Sequence, residues 1–378
     1  MGEFNNCSRL FLWQFILREI MTLHESLESD KDIDKSQLQK ILVIYAGGTF
    51  GQKLNSEGNY EASGQKTSPI DINSIRGIDE LAQVESFPYK DIDSTEMSTS
   101  DRANIANIIY EKYDDYKGFV IIHGTDTMVD TACALNYMLR GLKKTIVLTG
   151  SQIPIFQHDT DAENNLKNAI TAASYGFNEV VIVFDKKVLK GCRSTKISEE
   201  DFDAFASPRS SPLGFFNTRR LIINPNEYHS KKIYRKPTKF IEFDSHIEFY
   251  QQVSGSDSRI IEKIVESDDV HGIVIGGFGA GNVRSKYYLS IEKAVESGKP
   301  VIVTTSCLKG FAEMGKYEPG KVAKKLGAIS ANDMTREAAC QKLMYALGLA
   351  QYKKLEERKK LEFICELIQG PINDDINN

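Results

Sequence analysis

This chain reads as α/β, two α/β domains with mostly parallel sheets, and three observations carry that reading. Apolar runs of four to five residues recur through the first half, without the polar alternation of a strand that faces water on one side. Segments with helical spacing of apolar residues separate these runs. Two of the runs end directly in a glycine–threonine turn, and the carboxyl ends of strands are where open α/β sheets bind ligands.

Along the chain, the strands expected in the first domain are 41–45, 119–122, 145–149 and 180–184. Helices are expected at 130–142, where Ala134, Leu135, Met138, Leu139 and Leu142 recur at helical spacing, and at 163–175. Residues 224–238 are polar, contain Pro225 and Pro237 and show no period, so they read as a linker. A second unit follows: helix 258–265, strand 272–275, helix 289–297 and strand 301–305, with helices 335–350 and 352–368 closing the chain. The expected division is an N-terminal extension (1–35), a catalytic domain (36–223), the linker (224–238), a second α/β domain (239–350) and a helix with a tail (351–378). The larger first domain is expected to be flavodoxin-like and the smaller second one Rossmann-like.

With 47 basic against 52 acidic residues the net charge is −5, which argues against a groove that holds nucleic acid by its phosphates. The basic pairs Lys231-Lys232 and Lys353-Lys354 have acidic residues close by and read as solvated faces. Six cysteines without a CxxC pattern predict reduced thiols and a cytoplasmic protein. Six histidines without HExxH or paired-ligand spacing predict no metal site. Near the N-terminus, Leu10-Phe11-Leu12-Trp13 and Phe15-Ile16-Leu17 form an apolar patch too short to span a bilayer. It lacks a signal-peptide cleavage pattern and reads as an amphipathic helix or an upstream extension, so no membrane partner is expected.

The two turns carry the chemistry. Ala46-Gly47-Gly48-Thr49-Phe50-Gly51 follows run 41–45, and His123-Gly124-Thr125-Asp126-Thr127-Met128 follows run 119–122. Glycines let a backbone approach a substrate closely, and the hydroxyl beside them can serve as nucleophile. A threonine needs a proton acceptor, and Lys196, in Gly191-Cys192-Arg193-Ser194-Thr195-Lys196, reaches the same crevice if strand 180–184 neighbours the others. Asp126 offers a carboxylate for a substrate ammonium or for that lysine. Asp93-Ser94-Thr95-Glu96 provides hydroxyls for a small carboxylate ligand. The polar segment 52–65, with Gly58, Tyr60 and Gly64, reads as a lid or as an ordinary surface loop. Taken singly each feature is generic, a lone Gly-Gly-Thr being usually a tight turn.

In their joint order, with Thr149-Gly150-Ser151-Gln152-Ile153-Pro154 and Asp203-Ala204-Phe205-Ala206-Ser207-Pro208, these segments resemble the bacterial-type L-asparaginases, in particular the cytosolic type I branch. The resemblance spans roughly residues 38–349. It implies hydrolysis of L-asparagine to L-aspartate and ammonia, without a cofactor, through a β-aspartyl ester. It implies Thr49 as the acylated nucleophile and Gly48 beside the substrate. Asp93, Ser94 and Thr95 would hold the α-carboxylate and α-amino group, and Thr125, Asp126 and Lys196 would form a triad. Tyr60 falls one position after the family's lid tyrosine. Asn282, in Gly277-Phe278-Gly279-Ala280-Gly281-Asn282, would contact the site of a neighbouring subunit, which implies a homo-oligomer built as a dimer of dimers. That loop lacks the GxGxxG spacing of a dinucleotide site.

Thr95 stands where the type II branch has glutamine, which favours type I. Cys307 and Thr195 match two positions of a regulatory asparagine site found in some type I enzymes, but Gly276-Gly277-Phe278 lacks its arginine, so weak or absent allostery is expected. L-Glutamine is a weak second substrate in this reading. The alternatives are a glutaminase-asparaginase, an amidase subunit for aminoacyl-tRNA transamidation, and a catalytically silent asparagine sensor.

Overall fold

The computed structural model describes residues 37–218, 220–227 and 236–377, so the expected extension 1–35 and residues 228–235 of the expected linker lie outside the described residues. β1 (Lys40–Gly47) is buried from Ile41 onward, as an unbroken apolar run requires. An exposed hairpin follows, β2 (Lys53–Leu54) against β3 (Tyr60–Glu61). Next come β4 (Gln83–Ile92) and α1 (Thr99–Glu111), the helix started by a capping box of Ser98 and Asp101. β5 (Gly118–Ile122), α2 (Met128–Met138), the short β6 (Leu139–Arg140), β7 (Ile146–Thr149), α3 (Ala162–Tyr175) and β8 (Val180–Phe184) continue the alternation. A run of short strands comes after them: β9 (Lys187–Lys190), β10 (Thr195–Lys196), β11 (Phe205–Ala206), β12 (Gly214–Asn217), β13 (Arg220–Ile223) and β14 (Thr238–Lys239). The last part comprises β15 (Ile247–Gln251), α4 (Arg259–Glu266), β16 (Gly272–Gly277), α5 (Tyr288–Glu296), β17 (Val301–Thr305), α6 (Glu318–Lys325), β18 (Ile329–Ser330), α7 (Arg336–Tyr352) and α8 (Glu357–Gln369).

The larger sheet has the order β13-β12-β9-β8-β7-β5-β1-β4. β4, β1, β5, β7 and β8 run parallel, and β9, β12 and β13 continue antiparallel. The smaller sheet, β15-β16-β17-β18, is parallel throughout. The mostly parallel two-sheet expectation therefore holds. The central strands are apolar on both faces because both faces are covered. Leu42, Ile44 and Ala46 join a cluster with Ile105, Ile109 and Leu135, while Ile41, Val43 and Tyr45 join another with Leu166, Ala169 and Ile170. Each such valine, leucine or isoleucine side chain, fully buried, stabilises the fold by about 1.5–3 kcal/mol.

Several elements depart from the expectations. β4 carries no apolar run, since it is the sheet's edge and most of its residues are exposed or half-buried. The helix expected at 130–142 stops at Met138, because Leu139 and Arg140 turn to pair with Thr238 and Lys239 at the end of the expected linker. The last helix begins at Glu357 rather than at 352, after a break in which Lys354 has φ 51°. The tail packs into the core. Asp375 is fully buried, paired with the equally buried Lys342 Nζ at 2.7 Å, and accepts from the Tyr137 hydroxyl at 2.9 Å. One apolar cluster runs from the larger sheet through α2 and α7 to Val274 and Ile302 of the smaller one.

Candidate active site

The carboxyl ends of β4, β1 and β5, three neighbours in the larger sheet, bring the two turns and the Asp93 segment together. Gly48 has φ 84°, and its N–H donates to Ile92 O at the end of β4. A Cβ on Gly48 would lie 2.3 Å from the backbone N and Cα of Gly124, so only glycine fits here. Likewise a Cβ on Gly124 would lie 2.6 Å from Ser94 Oγ. The first turn therefore touches the second turn and the end of β4 backbone to backbone, and the second turn meets the Ser94 side chain. Thr49 opens a 3-10 turn (Thr49–Gly51) and is half-buried between buried neighbours.

Thr125 is 7% exposed, and Lys196 Nζ donates to its Oγ1 at 2.9 Å and to Asp126 Oδ1 at 2.7 Å. Lys196 arrives from β10, which pairs with β11 rather than with the large sheet. An ammonium donating to Thr125 Oγ1 leaves the hydroxyl hydrogen free to point at a ligand or a water, and it stabilises negative charge that develops on that oxygen. Asp93 Oδ1 accepts from Thr95 N at 2.9 Å and from Thr95 Oγ1 at 2.7 Å, while Ser94 is buried beneath them.

Residues missed by the sequence reading hold this arrangement. Thr127 Oγ1 donates to Ser94 O at 2.6 Å, joining the second turn to the Asp93 segment. His123 is fully buried, with Nδ1 2.7 Å from Gly124 O and Nε2 2.9 Å from Thr131 Oγ1, which also accepts from Arg102 Nε at 3.1 Å. Burial pushes the His123 imidazole down to about 4. Arg193, 2% exposed in its side chain, bonds Asp333 Oδ2 at 2.6 Å and Asp375 O at 2.8 Å, three residues before Lys196. His123 and Thr127 stand inside the second turn and Arg193 inside segment 191–196, but their holding roles, and Asp375 altogether, left no local signal because the partners are far away in sequence.

Two expected site residues stand apart. Tyr60 is exposed on the hairpin, its hydroxyl engaged by Gln157 Nε2, with no bond to Thr49, Thr125 or Lys196 among the described residues. Asn282 closes a turn with Phe278 just after β16, and its carbonyl accepts from Gln252 Nε2 at 3.0 Å. Thr195 and Cys307 do share a cavity of about 280 Å³, with Lys196 on one wall. Arg209 lines it too, but its guanidinium is committed to the carbonyls of Cys307, Leu308, Asp333 and Met334.

Residues 40–228 match the family model "Asparaginase, N-terminal" and residues 246–361 match "Glutaminase/Asparaginase C-terminal domain". The L-asparaginase of Thermococcus kodakarensis is 32% identical over 327 residues, covering 85% of this chain and 96% of that protein. L-asparaginase 1 of Escherichia coli is 34% identical over 345 residues, covering 90% and 99%. Among solved structures, the Thermococcus enzyme superposes with a TM-score of 0.79 at 29% identity, covering 90% of this chain and 99% of that one. L-asparaginase I of Vibrio cholerae gives 0.77 at 28% identity, covering 90% and 100%. With both halves of the chain matched and both turns meeting at the strand ends, this protein belongs to the asparaginase family.

Proposed function

We propose that the chain is an L-asparaginase that hydrolyses L-asparagine to L-aspartate and ammonia through a threonine ester. The observation that carries this reading is Lys196 Nζ lying within 2.9 Å of Thr125 Oγ1 and 2.7 Å of Asp126 Oδ1, beside the turn that presents Thr49. Asp93, Ser94 and Thr95 hold the substrate's α-carboxylate and α-amino group, with Asp126 as a second partner for the ammonium. Thr49 Oγ1 attacks the side-chain amide carbon, the C–N bond breaks, and the threonine's proton leaves with ammonia. Thr125 then orients a water, which adds to the ester carbon. The C–O bond to Thr49 breaks, and Thr49 regains a proton as aspartate departs. An oxyanion forms in both steps and requires backbone N–H donors beside Thr49 and Thr125. Tyr60 would act by closure of the hairpin. Asn282 would act on the site of a neighbouring copy in a dimer of dimers.

Asparagine and glutamine differ by one methylene, worth about 1–3 kcal/mol in a pocket, so glutamine is expected to be the slower substrate. The free thiols of Cys133, Cys192, Cys307, Cys340 and Cys365 support a cytoplasmic location. No helix of the described residues is long and apolar enough to cross a membrane. The test is ammonia release from each amide by the wild type, Thr49→Ala and Lys196→Ala. We expect asparagine turnover that each substitution lowers by at least about a hundredfold. Equal rates on glutamine would make it a glutaminase-asparaginase; saturable asparagine binding without hydrolysis would make it a sensor.

A further inference from the structure

Two histidines far apart in sequence meet at the end of the smaller sheet opposite the candidate active site. β15 and β16 pair in parallel with Ile247 opposite Gly272, so His246 and His271, each the residue before its strand, stand side by side. His271 N donates to His246 O at 2.7 Å, and the two rings lie 4.8 Å apart between centroids, tilted by 40°. Both face one carboxylate. His246 Nδ1 is 2.8 Å from Asp244 Oδ1, and His271 Nδ1 is 2.7 Å from Asp244 Oδ2. One donor atom from each of the three residues lies within 4.8 Å of the others.

The carboxylate is held firmly. Its side chain is 2% exposed, Gln351 Nε2 donates to Oδ2, and Asp244 N donates to Met344 O at 3.0 Å, both partners belonging to α7. The backbone there packs so closely on α7 that a Cβ on Gly348 would lie 1.8 Å from Glu242 O. The histidine side chains are, by contrast, 59% and 36% exposed, which leaves a path from solvent. A buried, fixed carboxylate flanked by two reachable imidazoles is a prearranged donor set.

From this geometry we propose that Asp244, His246 and His271 bind a divalent transition-metal ion of the zinc class. Two imidazole nitrogens and one carboxylate oxygen suit zinc-class ions rather than Mg²⁺ or Ca²⁺, and water completes the shell. Metal–ligand bonds of about 2.0–2.1 Å require each ring to draw back by roughly half an ångström, which exposed side chains can do. Coordination through Nδ1 leaves each ring's proton on Nε2. The ion would tie the starts of β15 and β16 to α7, making it structural rather than catalytic. Spacing tests for metal ligands miss such a site because the sheet register, not the local sequence, assembles it.

The test is calorimetric titration of the full chain, stripped with EDTA, with ZnCl₂, repeated on His246→Ala, His271→Ala and, as a thiol control, Cys307→Ser. Circular dichroism establishes that each variant is folded, and His246→Ala, at the more exposed position, keeps the test informative should His271→Ala unfold. We expect one Zn²⁺ per wild-type and Cys307→Ser chain, and affinity lower by at least about tenfold in folded histidine variants. Zn²⁺ should raise Tm in the wild type and not in those variants. No zinc uptake by the wild type, or uptake and a Tm rise unchanged in folded His246→Ala, would overturn the proposal.

Discussion

At the residue scale, the neighbours of His123 decide its tautomer. Gly124 O only accepts, so Nδ1 carries the proton and Nε2 is bare; Thr131 therefore donates to Nε2 while its oxygen accepts from Arg102. This chain of bonds ends on the carbonyl that precedes Thr125, and it operates only with a neutral ring. A consequence for stability follows from linkage. The folded ring titrates at about 4, below the ordinary unfolded value of about 6.5, so between these values the unfolded chain holds the extra proton. Stability should be full above about 6.5 and should fall as pH drops toward about 4, by about 3 kcal/mol from this residue. Chemical unfolding across that range checks it: His123→Gln should lose that part of the slope, and an unchanged slope would remove His123 from the account.

At the element scale, the site depends on segments of unequal legibility. β1 and β5 are apolar runs followed at once by glycine–threonine turns, so both the strands and the active ends of the strands could be read directly. β4 could not, since an edge strand needs no continuous apolar run, although the Asp93 segment at its end could be identified by its polar cluster. β10, which carries Lys196, is only two residues long and is positioned by distant contacts. Arg193 lies just before it and bridges to Asp333 and to the backbone of Asp375, whose carboxylate meets buried Lys342. Removing one partner of a buried ion pair strands the other charge, at a cost of about 3–5 kcal/mol. Asp375→Ala is therefore expected to lower unfolding free energy by that amount in urea titrations, and a loss below about 1 kcal/mol would mean that the tail is not part of the core.

At the scale of the whole molecule, the alternation of strands and helices was enough to read two mostly parallel sheets, since continuous apolar strands must be covered on both faces. It did not reveal that the core is continuous across them. Tyr137 on α2 stacks on Tyr345 of α7 with centroids 5.9 Å apart, and such long-range pairs leave no local pattern. The two threonine turns were legible because a glycine–hydroxyl motif directly after an apolar run is a short local pattern. The residues that hold them were not, because packing partners are chosen by the fold. The proposed mechanism divides acylation and deacylation between two threonines on adjacent strand ends. Its most direct test is rapid acid quenching of Thr125→Ala with L-asparagine, followed by peptide mass spectrometry. We predict a β-aspartyl adduct on the peptide containing Thr49, absent when Thr49→Ala is added. An adduct on another residue, or one that persists in the double variant, would contradict the assignment of Thr49 as the nucleophile.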